Sequence, residues 1–412
     1  MDSSGKGMDS HTPKTPINIL IVDDSEAIRI VMDAILQDLS IGDIHTCSSG
    51  ETTLKSIQSR PSYFDLIFVD LNMPNMDGME LIRHLGEQKF QGGIVIASGM
   101  DTRIINLAFE IAKQNRVHLI GSLHKPITSE KIKTSLEKYN QLKNKKNTHK
   151  RVLTAQEISD AIDNELLIPY YQPKVDIHSH KLIGIELLAR IDAPGHGGTL
   201  SPASFIHIAE SHQLINKLTY GLLHKSIAEF QEIKNHHPGD YSLAFNLSPL
   251  QLEDLDTPKV LDEFIAHFNL SPADFVIEVT EEKALDSNNQ LETLNRLRMN
   301  GYGVALDDFG TGFTNIHQLL SLPFSEVKID QSLITNIHKD DFSQVIVQTL
   351  LELTQKLEID LIAEGIESYE ELNYLENLSQ NIFLQGFIIS KPKPKDSFLR
   401  WLHSWEKSHQ ST

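Results

Sequence analysis

Basic charge is scarce in this chain: 37 Lys and Arg stand against 56 Asp and Glu, for a formal net charge of −19. That balance excludes general affinity for nucleic acid, whose phosphates demand a basic face. No helix-turn-helix candidate has basic support, so no DNA partner is expected. A single cysteine, Cys47, excludes an intramolecular disulfide framework and fits a reducing cytoplasm. No apolar run approaches the roughly 20 residues that span a bilayer. The polar opening MDSSGKGMDSHTPKTP has no signal-peptide core. A cytoplasmic protein with no membrane partner is expected, residues 1–16 being a disordered tail. What remains is ordinary: 40% hydrophobic and 23% charged residues, as in a soluble globular protein. At 412 residues the chain suggests two domains.

In the second half, five apolar stretches each end in an acid or an amide: LIGIELL (Glu186), SLAFNLS (Asn246), FVIEVTE (Glu278, Glu281), GVALDDFG (Asp307, Asp308) and DLIAEGIE (Glu364, Glu367). Short apolar runs bounded by turn signals read as buried strands, and the helical stretches between them suggest a βα repeat. With IPYYQPKVDI, FSEVKID and IFLQGFIISKP they make roughly eight strands, the content of a (β/α)8 barrel of the TIM type. Strand ends converge at one mouth of such a barrel. Carboxylates crowded there repel one another unless a cation compensates them, so the pattern points to a metal site over residues 154–412.

Residues 17–142 alternate differently. INILIVDD, DIHTCSS, DLIFVD, GGIVIASG and VHLIGSLHKP read as five strands of a doubly wound (βα)5 domain, and Ser25 reads as the N-cap of its first helix. The basic run KNKKNTHKR then breaks the apolar pattern; it reads as a solvated linker or helix end in preference to a binding patch, with residues 143–153 as the linker. Asp23 and Asp24 follow the first strand, Asp70 ends the third, Ser98 ends the fourth and Lys125-Pro126 follows the fifth. The strand ends of such a sheet share a crevice. Three acids there suit Mg²⁺, the middle one is placed to accept a phosphoryl group, and Lys125 would offset its charge.

The VDDS, FVDLNMPNMDG, Ser98 and Lys-Pro elements together resemble the response-regulator receiver domain. The resemblance implies phosphorylation of Asp70 by a cognate sensor histidine kinase, Mg²⁺ on Asp23, Asp24 and Asp70, support from Ser98 and Lys125, and a cis Lys125–Pro126 bond. One departure stands out. Ser122 occupies the place where many receivers carry a switch aromatic.

Taken in order, Gln172-Pro173, Glu186-Leu187-Leu188-Ala189-Arg190, Asn246-Leu247-Ser248, Glu278-Val279-Thr280-Glu281, Asp307-Asp308-Phe309-Gly310, Lys328-Ile329-Asp330, Ala363-Glu364-Gly365 and Gln385-Gly386-Phe387 resemble the EAL family of cyclic-di-GMP phosphodiesterases. Leu187 replaces the usual Ala, and its side chain is expected to point away from the site. The resemblance implies hydrolysis of cyclic-di-GMP to linear pGpG with two divalent cations, Mg²⁺ or Mn²⁺. Glu186, Asn246, Glu278 and Asp307 would hold one, and Asp307 would bridge to a second on Asp308 and Glu364. Asp307, Lys328 and Glu364 are the catalytic candidates, with Glu364 either ligand or general base. Arg190, Gln172 and Gln385 are the substrate-binding candidates. Glu281 would anchor the loop after Asp308, while Asp330 and Glu367 would support, the alternative for Asp330 being a salt bridge with Lys328. The fused chain resembles receiver–EAL response regulators, usually dimers or tetramers, which implies activity regulated at Asp70 in a direction the sequence leaves open. The competing reading is a catalytically silent module that binds cyclic-di-GMP and signals by contact.

Overall fold

The computed structural model describes residues 17–39, 41–100, 105, 108, 112, 117–147, 152–193, 198–268, 270–280, 285, 287–310, 316–378 and 381–409. The expected tail lies outside them. Two compact units divide the chain, Met1–His149 and Lys150–Thr412. Among the described residues, no helix is long and apolar enough to cross a membrane.

In the first unit, strands β1 (Ile19–Val22), β2 (Ile44–Cys47), β3 (Leu66–Val69), β4 (Gly93–Ser98) and β5 (His118–His124) form one parallel sheet in the order β2-β1-β3-β4-β5. Successive side chains leave a strand on opposite faces. Ile19, Ile21, Phe68 and Val95 therefore pack with helices Glu26–Asp38 and Ser129–Asn147, while Leu20, Val22, Ile67 and Val69 pack with helices Gly50–Ser59 and Gly78–Glu87. Burial on both faces explains why the central strands read as unbroken apolar runs. Ser25 occupies the N-cap position of the first helix, but its side chain makes no cap bond; its backbone N–H donates to Asp23 Oδ1 at 2.9 Å. The last helix runs to Asn147, into the 143–153 stretch, whose basic run read as linker or helix end.

The second unit is a closed barrel of β6 (Leu167–Asp176), β7 (Leu182–Ala193), β9 (Ser242–Asn246), β10 (Phe275–Thr280), β11 (Gly303–Phe309), β12 (Glu326–Ile329), β13 (Asp360–Ala363) and β14 (Phe383–Leu384); β8 (Gly198–Leu200) is added to β7 outside the ring. One strand departs from the expected parallel repeat: β6 runs antiparallel to both β7 and β14. The cause is connection length. Only residues 177–181 separate β6 from β7, enough for a hairpin but not for the dozen or more residues of a parallel crossover. The outward side chains of the strands, such as Ile185, Leu243, Ile277, Val304, Val327 and Leu361, join one large apolar cluster. Leu187 is part of it, 3% exposed, so the departure from Ala is absorbed by packing. Inside the ring, small Ala244, Val276 and Ala305 form a separate cluster and leave room for charge.

Candidate active site and phosphoacceptor site

Strand register brings the acids together. Glu278 lies beside Asn246, Glu186 beside Ala244, and Thr280 beside Asp307. Between β11 and β12 the ladder pairs Leu306 with Val327 and Phe309 with Ile329, so Asp307 and Asp308 together face the one residue Lys328. This is a bulge, with Asp308 in the left-handed region at φ +58°. In a regular strand two consecutive side chains would point to opposite faces. The bulge instead brings carboxylate oxygens of Asp307, Asp308 and Glu364 within 4.8 Å of one another.

Lys328 is the hub. Its fully buried Nζ lies 2.7 Å from Glu364 Oε1, 3.0 Å from Asp307 Oδ1, 3.1 Å from Glu278 Oε1 and 3.6 Å from Glu186 Oε2. One ammonium cannot neutralise four carboxylates, and the titration behaviour follows. Burial, with Asp307 and Glu186 adding repulsion, pushes Glu364 well above the usual range despite Lys328. Burial likewise pushes Glu186 up to about 7. Glu278 is held down to about 2, because Lys328 and Lys174 outweigh its burial. A cluster of hard oxygen donors with surplus negative charge fits a divalent cation, which would displace the protons those acids otherwise keep.

The remaining candidates divide. Asn246 donates to Glu278 Oε2 at 3.2 Å through Nδ2, which leaves its amide oxygen for another partner. Gln385 donates to Glu186 and, at 3.4 Å, to Gln172 Oε1, and Gln172 donates to the Ser390 carbonyl at 3.2 Å. Both glutamines are buried; Gln385 orients Glu186 directly, and Gln172 is tied to it through Gln385. Gly386 permits this course, since a side chain there would strike the Ile366 backbone. Arg190 has its guanidinium 5.2 Å from the Tyr170 ring centre and donates to the Ala189 carbonyl at 2.8 Å. Asp330 accepts from the Ser332 N–H at 2.8 Å as a helix cap, while the ion pairs of Lys328 run to the mouth acids. Glu367 is exposed; buried Glu371 holds this segment instead, accepting from the N–H groups of Asn336, Glu367 and Ser368 at 3.0, 3.1 and 3.1 Å. Glu281 lies outside the described residues, as does most of the loop it was expected to anchor. A cavity of about 690 Å³ opens beside the mouth, lined by Asn246, Ser248, Asp307, Asp308, Leu188 and Pro202 among others, large enough for a small organic ligand. Sequence reading missed Lys174 and Glu326, two further charges buried in the barrel; the signal was a charged residue at an inward position of each apolar run.

In the first unit, carboxylate oxygens of Asp23, Asp24 and Asp70 lie within 4.8 Å of one another. Lys125 Nζ reaches Asp70 Oδ2 at 2.7 Å and Asp23 Oδ2 at 2.8 Å. Burial raises the Asp23 carboxyl even so. Arg29 braces the turn by donating to the carbonyls of Asp23 and Asp24 at 2.6 and 2.9 Å. Ser98 is buried at the end of β4, its hydroxyl accepting from the Met100 N–H at 3.2 Å. Lys125–Pro126 is cis. Ser122 is exposed on β5.

A barrel that gathers carboxylates at its mouth, carried with a doubly wound domain bearing an acid triad and a lysine, has the build of a response regulator with an effector barrel. The EAL domain family matches residues 155–392 and the response regulator receiver domain family matches residues 19–137. The chain belongs to the EAL domain family and carries a receiver domain ahead of the barrel.

Among its relatives, Cyclic di-GMP phosphodiesterase RocR of Pseudomonas aeruginosa is 29% identical over 93% of this chain and 98% of RocR. Probable cyclic di-GMP phosphodiesterase PdeG of Escherichia coli is 37% identical over 56% of this chain, which spans 46% of PdeG. The solved structure of the PaMucR phosphodiesterase in complex with c-di-GMP is 30% identical and matches with a TM-score of 0.56, over 59% of this chain and 98% of that one.

Proposed function

We propose that the protein is a response regulator that hydrolyses cyclic-di-GMP to linear pGpG, with its rate set by phosphorylation of Asp70. The observation that carries the first part is the cluster of Glu186, Glu278, Asp307 and Glu364 around Lys328, beside a cavity of suitable size. Glu186, Asn246, Glu278 and Asp307 would hold one divalent cation, and Asp307, Asp308 and Glu364 a second. Cations bound there would activate water near neutral pH and offset charge on the nonbridging phosphate oxygens. The chain's own residues do the rest. Gln385, Asn246 and Lys328 orient the carboxylates, and the charge of Lys328 would offset negative charge gathered at the mouth. Glu364, 2.7 Å from Lys328, would serve as ligand to the second cation or, in its place, as general base, and either role uses its ionised form. Arg190 offers a planar fork for a ligand phosphate. A likeness over nearly the whole length of RocR supports the substrate.

In the receiver, Asp70 would accept the phosphoryl group from a histidine kinase, with Mg²⁺ on Asp23, Asp24 and Asp70, and Lys125 would move from carboxylate to phosphoryl oxygen. The exposed Ser122 implies that the output does not pass through an aromatic at that position.

The test is incubation of the purified protein with cyclic-di-GMP and Mg²⁺ or Mn²⁺, with Asp307→Asn and a chelated sample as controls. Linear pGpG from the wild type alone is expected. Tight binding without turnover would select a silent binding module instead. Repeating the assay with acetyl phosphate, on wild type and Asp70→Asn, tests regulation: equal rates in all samples would remove it.

A further inference from the structure

Inward side chains of a (β/α)8-type barrel ordinarily pack as layers of branched apolar residues. Here a row of alternating charges runs inward from the mouth. Lys174 of β6, 1% exposed, places Nζ 3.0 Å from Glu278 Oε1 and 3.0 Å from Glu326 Oε2. Lys328 reaches the same Glu278 oxygen at 3.1 Å. Glu326 stands two residues before Lys328 on β12, on the same face and one layer deeper. The fold makes room for the long lysine: its register partner on β7 is Gly184, where a side chain would meet Lys174 Cδ at 3.3 Å.

The consequence falls on Glu278. Its Oε1 is shared by two ammonium groups, and its Oε2 is left on the side of Asn246. A carboxylate turns readily about its last torsion, which has broad, roughly two-fold wells. Pinning one oxygen removes that freedom and presents the other. Lys174 alone would set a positive charge against an incoming cation, and Glu326 cancels it. We propose that Lys174 and Glu326 act as a pair of positioning residues that decide which oxygen Glu278 offers to a divalent cation.

This rests on the metal reading of the mouth, and the test separates the two. Mn²⁺ is titrated calorimetrically into metal-free wild type, Glu326→Gln and the double variant Lys174→Leu/Glu326→Leu, with no nucleotide present. Thermal unfolding in chelator reports the fold of each. The expected result is a loss of Mn²⁺ affinity on the order of tenfold in the double variant, the usual scale for outer residues that orient a ligand. A smaller loss is expected in Glu326→Gln, where the charge of Lys174 is no longer cancelled. Turnover of cyclic-di-GMP should recover in excess Mn²⁺, so that the defect lies in metal affinity and not in kcat. Folded variants with wild-type Mn²⁺ affinity would overturn the pair's role. Should the double variant fail to fold, the nearly isosteric Glu326→Gln decides alone. A wild type that takes up no Mn²⁺ would overturn the metal reading itself, and this inference with it.

Discussion

Lys328 Nζ sits 2.7 Å from Glu364 Oε1, the shortest of four ion pairs that gather the barrel's carboxylates around one buried ammonium. Breaking buried pairs by removing one partner costs about 3–5 kcal/mol, because the other charges stay buried. Lys328→Met is therefore expected to lower stability by that amount in urea unfolding with chelator present, and to abolish turnover. Added Mn²⁺ should recover part of the stability and none of the turnover. Equal stability of variant and wild type in chelator would show that the carboxylates simply take up protons in its place.

Asp308 combines a left-handed backbone with a carboxylate at the mouth. Asn tolerates that conformation, whereas a β-branched residue adds strain of about 1–2 kcal/mol. Asp308→Asn should unfold like the wild type and bind Mn²⁺ at least about tenfold more weakly, given that even outer-residue losses reach that scale. Asp308→Val should lose both affinity and stability. Scanning calorimetry and Mn²⁺ titration distinguish the two outcomes.

Glu371 is held below the ordinary carboxylate range: burial acts to raise it, but the N–H groups of Asn336, Glu367 and Ser368 outweigh that. A folded pKa below the unfolded value means stability that is present above the unfolded pKa, about 4.3, and lost as pH falls through the folded pKa. Glu371→Gln is expected to cost about 1.5–3 kcal/mol at pH 7, the scale of hydrogen bonds to a charged group. The gap between variant and wild type should close in acid. Urea midpoints measured from pH 7 down to pH 3 check this; a constant gap would rule out the charge as its source.

Asp70 Oδ2 pairs with Lys125 at 2.7 Å in a crevice that also holds Asp23 and Asp24. One phosphoryl adduct is expected on the wild type after acetyl phosphate and Mg²⁺, and none on Asp70→Asn, by intact-mass spectrometry. Lys125→Met should retain the acceptor but slow its phosphorylation. An adduct of the same yield on Asp70→Asn would place the acceptor elsewhere.

The acids at strand ends were legible because the pattern that buries a strand is local: apolar runs such as FVIEV and GVALDD stop where the chain meets the mouth. The order of those runs identified both domains and most of the mouth. The reversal of β6 was less visible, though the short span between IPYYQPKVDI and LIGIELL already excluded a crossover. Gln172 and Gln385 read as substrate contacts, and the bonds that tie Gln385 to Glu186 and to Gln172 were not legible in the sequence.

By itself the sequence determined the two domain classes, the acids that meet in the receiver's crevice and those that supply the barrel's mouth, since each follows from residue type and short-range periodicity. Only the tertiary structure decided which side chains share a face. Asp307 and Asp308 converge because the register of β11 against β12 skips a residue there, and register belongs to a pair of strands. Lys174 reaches Glu278 and Glu326 across 104 and 152 residues of chain, a meeting that closure of the barrel alone brings about. Burial then sets the charge balance of the mouth, because one low-dielectric interior makes each of these groups answer to all the others.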